Sequence, residues 1–271
     1  MFFGAASSSS DAKDMEALGV AANIVGVSVP AAHAIRLLRD DIQRNSDAPS
    51  TVISLRAELI ESHNVLASLR TIGDEQWNAL GGAIVAQSKS AISSCEQSCV
   101  KLRDALHRWT RHSDEASGTL APWDRINVGF FKQSQLKTMT AAVEKCKTTL
   151  ALVVTVGTLH GQLQQGRLSE ATRTAILRAE SRITSAITNQ DTQLAELNST
   201  LQSLVMVQQD GTETDVDRFD AMGQVVTNLE LLKSSMALLK DLLSNIQTAA
   251  TNAGLGRSQM SFTFGDHNKG Q

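Results

Sequence analysis

The chain has 271 residues, with 25 Lys or Arg against 28 Asp or Glu, a formal net charge of -3 and a pI near 6.1. That balance argues against wholesale nucleic-acid binding, which usually needs a basic domain, while a hydrophobic fraction of 42% suffices for a sizeable core. Aromatics at 4%, no tyrosine and only three prolines make a long-helix composition. Cys95, Cys99 and Cys146 are too few and odd in number for a disulfide framework, and the N-terminus lacks the basic start and cleavage site of a secretory signal, so a reducing cytosol is expected.

Residues 1–13, MFFGAASSSSDAK, combine a short apolar start with a serine run and read as a flexible leader. The first helix is expected from about Asp14 to about Gln43. Its centre, Ala17 to Ile35 (ALGVAANIVGVSVPAAHAI), has no formally charged residue between Glu16 and Arg36. At about 19 residues it is near the length of a bilayer span, but Asn23, Ser28, Pro30 and His33 suit a constitutive span poorly. Gly19, Ala21, Ala22, Gly26, Ala31 and Ala32 let neighbouring helices approach, and Leu18, Val20, Ile24, Val25, Val27, Val29 and Ile35 leave no fully polar face. Two readings follow: the buried centre of a bundle, kinked or divided at Pro30, or a conditionally inserting helix. In either case the rest of the chain is expected to cover it in the soluble state.

Arg44 to Ser50 is the first loop, with Asp47 as N-cap candidate and Pro49 in the next first turn. The three-four spacing of Val52, Leu55, Leu59, Leu66 and Leu69 predicts an amphipathic helix over Thr51 to Thr71. After Gly73 and Asp74, the stripe from Trp77, Leu80 and Ile84 through Cys95, Cys99, Leu102 and Trp109 predicts one third helix reaching about His112. Asp114 to Pro122 is a loop. A fourth helix carries Leu136, Met139, Val143, Cys146, Leu150, Val153 and Val156, and Gly157 and Gly161 weaken it toward its end.

The fifth helix, Ser169 to about Val207, holds Ile176, Ile183, Ile187, Leu194, Leu197, Leu201 and Leu204 at heptad-compatible spacing. The turn Gln208 to Asp215 leads to the sixth, Val216 to about Thr251, and the two form an antiparallel hairpin. The expected fold class is therefore all-α: a helical bundle of about six helices over residues 14–251, with Ile24, Trp77, Leu102, Leu150 and Val153 in its core. Residues 252–271 form a flexible Gly/Asn-rich tail in which Met260, Phe262 and Phe264 alternate with polar residues.

No G-x-S-x-G, H-E-x-x-H or Walker loop is present, so no catalytic residue, cofactor or metal is expected. Glu58 and Glu61, one turn apart beside Arg56, read as solvated surface. Cys95 and Cys99 lie one turn apart and can meet Cys146 across a bundle, but without a fourth ligand they read as small buried hydrophobes. Charge is uneven: Lys101 to Lys147 holds nine Lys or Arg against five Asp or Glu. Lys101, Arg103, Arg108 and Arg111 recur there at near-helical spacing and are headgroup candidates, at about 1 kcal/mol per charge near an anionic membrane. The alternative is an ordinary solvated face.

Three stretches carry a family resemblance. ALGVAANIVGVSVPAAHAIRLLRDDI resembles the opening of the HeLo-like domains at the N-termini of fungal cell-death effectors and NOD-like receptors. WDRINVGFFKQSQLKTMTAAVEKCKTTLALVVTV, Trp123 to Val156, is similar to the family's middle. FGDHNKGQ, Phe264 to Gln271, looks like the approach to a fungal amyloid signalling motif. The first two cover most of residues 14–160, and helices five and six match no motif. The Gln-Ile-Gly-type core that would follow Gln271 is not in the chain, so truncation just before it is expected, with a plain linker as the alternative.

The resemblance implies a HELLP-like, necroptosis-related effector, with a HeLo-like four-helix-bundle core plus the long C-terminal hairpin. Leu18, Val20, Ile24, Val25, Val27 and Val29 would enter the membrane, and Lys101, Arg103, Arg108 and Arg111 would meet lipid headgroups. Phe262, Phe264, Asn268, Gly270 and Gln271 would form the amyloid-motif approach. The implied partners are anionic plasma-membrane lipids, a NOD-like receptor carrying a matching amyloid motif, and further copies of the chain on activation, with no nucleic acid. The protein would be cytoplasmic and relocate to the plasma membrane. Two other functions stay open: a regulatory or adaptor bundle of a NOD-like receptor system, and a coiled-coil scaffold without membrane activity.

Overall fold

The computed structural model describes residues 8–43, 50–111, 130–165, 169–206 and 215–252. Among these the protein is all-helical, with seven helices and no strand: α1 (Ser8–Gln43), α2 (Ser50–Leu69), α3 (Asp74–Leu80), α4 (Gly82–Arg111), α5 (Phe130–Gln164), α6 (Glu170–Met206) and α7 (Asp215–Asn252). α1 begins inside the stretch expected as leader. The tail residues Phe262, Phe264, Asn268, Gly270 and Gln271 lie outside the described residues, as does the alternation around them.

The third helix differs from its expectation. It is two helices, because Gly81 takes a φ of 87°, a left-handed conformation that a side chain would strain. The apolar stripe survives the break, with Trp77, Leu80 and Ile84 all buried. Pro30 neither divides nor ends α1. It removes one amide donor from the helix, and both Pro30 and Gly26, whose carbonyl loses that donor, lie on the exposed side where water can serve.

α5 is the centre of the bundle, packed against α2, α3, α4, α6 and α7, whereas α1 packs against α2, α3 and α4. The expected core residues Ile24, Trp77, Leu102, Leu150 and Val153 are all at most 1% exposed. α5 runs on through Gly157 and Gly161 to Gln164, and the two glycines make room for Ile72 and for Gln76 of α3. A Cβ on Gly157 would sit 3.2 Å from Ile72 Cδ1, and one on Gly161 would sit 2.4 Å from Gln76 Nε2.

α6 and α7 pair extensively, as expected of the hairpin. A buried polar cluster sets their register against α5: Gln190 Nε2 donates to Ser235 Oγ at 2.9 Å, and Thr149 Oγ1 lies 2.6 Å from the same hydroxyl. Buried hydroxyls and amides must pair with one another to offset lost hydration, so only one axial alignment of the three helices is favourable. From Asp191 to Ser203 α6 has no buried residue, and Leu194, Leu197 and Leu201 are only half-buried.

Candidate functional site

The uncharged segment of α1 has two unlike faces. Ile24, Ser28, Ala31, Ile35 and Leu38 are buried against the bundle, and Ser28 Oγ donates to the Ile24 carbonyl at 2.7 Å, so its hydroxyl is satisfied inside the helix. Ala22, Val25, Gly26, Val29, His33 and Arg36, spaced by three and four, are all exposed and share the opposite face. Val25 is 38% and Val29 51% exposed. At the charged end of this stripe Arg36 Nη2 donates to His33 Nδ1 at 3.0 Å. Among the described residues this is the one helix long and apolar enough to cross a membrane, over Gly19–Gln43.

The expected cover is therefore incomplete. α1 lies at the side of the bundle, and its three neighbouring helices reach one face only. Of the expected insertion residues, Ile24 is fully buried, Val20 and Val27 are half-buried, and Val25 and Val29 face solvent. The Leu18 side chain lies outside the described residues.

The headgroup candidates are not brought together as one free surface. Lys101 is exposed, but Arg103 turns to α1, where its Nε donates to Asp41 Oδ2 at 2.6 Å. His107 Nε2 lies 2.8 Å from the same oxygen. Burial raises the Asp41 pKa, but the hydrogen bonds from Arg103 and His107 outweigh it and hold the carboxyl below its usual value. The triad thus joins the end of α1 to α4. The side chains of Arg108 and Arg111 lie outside the described residues.

Glu58 and Glu61 are not a plain solvated pair, because Lys147 of α5 bridges to both, reaching Glu61 Oε2 at 2.6 Å. Burial lowers the lysine's pKa, but these two hydrogen bonds outweigh it and raise it above the ordinary lysine value. Cys95, Cys99 and Cys146 do meet across the α4–α5 contact, as three buried free thiols. Hydrogen bonding with the Cys95 thiol, together with burial, pushes the Cys99 and Cys146 thiols well above the usual range, while the same hydrogen bonds hold the Cys95 thiol below it. Among the described residues no group of three or more His, Cys, Asp or Glu is placed to hold a metal ion.

Sequence reasoning missed Asp41 as the ion-pair hub, and the pairing of His33 with Arg36. The second had a signal, since residues three apart on a helix are neighbours. The first had none, because 62 residues separate Asp41 from Arg103.

Residues 15–251 match the family model described as pigment biosynthesis cluster protein PigL, N-terminal. No curated protein and no solved structure matches the chain.

Proposed function

The chain belongs to the PigL N-terminal family, which is HeLo-like in fungi, and on that premise we propose that it is a membrane-targeting, membrane-disrupting cell-death effector of the HELLP-like kind. One observation carries the reading: the apolar stripe Ala22, Val25, Gly26 and Val29 is open to solvent and ends in the exposed His33 and Arg36. Such a face suits a bilayer surface, with valines toward the acyl boundary and a cation at the phosphates.

Magnitudes separate docking from insertion. Covering the exposed parts of Val25 and Val29 yields roughly 1 to 3 kcal/mol, and one arginine near anionic headgroups adds about 1 kcal/mol. That supports reversible docking of the intact bundle. Insertion needs more: α1 must leave its cover and exchange the burial of Ile24, Ile35 and Leu38 in protein for burial in lipid. Activation would supply the bias, through a receptor's amyloid motif templating the tail and the assembly of several copies. No reaction is catalysed in this scheme, and the protein moves from cytoplasm to plasma membrane.

The test uses the purified chain with dye-loaded vesicles that contain or lack phosphatidylserine. Binding of the intact bundle is expected with the anionic vesicles, and leakage from them once several copies assemble on the surface. The paired substitution Val25→Asn with Val29→Asn, both on solvent-facing positions, should leave helicity intact and slow leakage about tenfold, the factor that corresponds to about 1.4 kcal/mol. Equal leakage from the folded double variant would remove α1 from the mechanism. A wild-type chain that neither binds nor permeabilises either vesicle would instead favour the adaptor reading, in which the stripe docks a protein.

A further inference from the structure

α3 is seven residues long, packs against α1, α4 and α5, and is hydrogen-bonded by Asn245 of α7. At its start Asp74 Oδ1 accepts the backbone N–H of Ala21 in α1 at 3.1 Å. At its end Asn245 Nδ2 of α7 donates to the carbonyls of Ala79 and Leu80, at 3.2 and 3.3 Å. A helix leaves its last carbonyls without internal donors, and here the accounting closes: Gly81 N–H serves Trp77 and Asn78, while Asn245 serves the next two. Asn245 is itself oriented, because its Oδ1 accepts from His160 Nε2 of α5, which turns the amide nitrogen toward α3.

The body of α3 is held by shape. Trp77 and Leu80 are buried, and Gly157 and Gly161 of α5 leave the space in which Ile72, Gln76 and Leu80 lie. One element of this fit is unfavourable, since Trp77 Nε1 is buried with no protein partner. Lifting α3 would hydrate that indole N–H, which offsets part of the cost of exposing Trp77 and Leu80, and the Asp74 and Asn245 contacts add to that cost. The Gly81 break lets α3 move without carrying α4 with it.

We propose that α3 is a latch coupling the two ends of the chain: α7 holds α3 through Asn245, and α3 holds the N-terminal part of α1 through Asp74. α7 is the helix that runs into residues 253–271. A pull or rotation applied to its end therefore loosens the hold on the apolar helix of α1 by displacing a single seven-residue element. The role of this latch in membrane attack rests on the function proposed above; its existence as a coupling does not.

The test is backbone hydrogen exchange on the full chain without lipid, with each variant read at the far end of the latch. Asn245→Ala should speed exchange at the α1 amides of Ala21 to Ile24 by roughly tenfold, the scale of one lost net hydrogen bond. Asp74→Ala should speed exchange at Leu242 to Ile246 of α7 by a similar factor, because coupling between two sites is reciprocal. In both variants the α5 amides of Leu150 to Val153, which open only with the whole bundle, should keep their protection. Effects confined to the substituted end, or accompanied by equal loosening of α5, would overturn the latch. Since no membrane enters the measurement, loss of the vesicle activity would leave this result standing, and failure here would leave the vesicle result standing.

Discussion

α1 and α5 carry similar material and meet opposite fates. Thr148 to Gln164 of α5 lacks any charged residue, as does Ala17 to Ile35 of α1. Yet α5 is enclosed by five helices, and its Leu150, Val153 and Val156 are buried, while α1 has neighbours on one face and presents Val25 and Val29 to water. Apolar content therefore does not decide exposure; the number of sides on which a helix has neighbours does. A helix covered on one side retains an unspent apolar surface, and the membrane role proposed for α1 draws on that surface, which α5 lacks.

The largest effect should come from placing the same charge in both helices. Val153→Asp buries a carboxylate with no partner, a cost comparable with the entire stability of a domain, so the variant should lose its cooperative thermal transition in circular dichroism. Val29→Asp lies on the open face and should change stability by no more than about 0.5 kcal/mol. Equal destabilisation of the two would mean that α1 is covered in solution.

Next in size is a contrast within α1. Ile24→Ala removes a fully buried side chain and should cost about 2 to 4 kcal/mol in denaturant unfolding. Val25→Ala, one residue on and facing solvent, should cost only a few tenths.

The smallest effect concerns the polar attachment at the charged end of α1. Asp41→Asn should cost about 1 kcal/mol near neutral pH by weakening the contacts with Arg103 and His107. Because the folded Asp41 pKa is lowered, its contribution is fully present above the ordinary carboxyl value of about 3.9 and is lost as pH falls through the lower folded value. The difference between wild type and Asp41→Asn, followed through the urea midpoint, should therefore shrink on going from pH 6 to pH 3. A difference that grows toward acid would contradict the assigned sign.

The sequence by itself determined the helical class, most helix ends to within a few residues, and the core. Helical periodicity is a local property, and Ile24, Leu102, Leu150 and Val153 each lie on a stripe that has to be buried somewhere. The break in the third helix had a signal that the expectation of one continuous helix passed over, since Gly81 is followed by Gly82 within a helical pattern. The two faces of α1 were not. All four of Ile24, Val25, Val27 and Val29 are apolar, and which of them meets protein depends on where α2, α3 and α4 lie. Nor could local pattern show that Arg103 belongs to Asp41, or that Asp74 and Asn245 both close on the ends of α3. Those contacts span 62 residues in the first case, and 53 and 166 in the second. Partners that distant are chosen by the packing of whole helices, which only the tertiary structure decided.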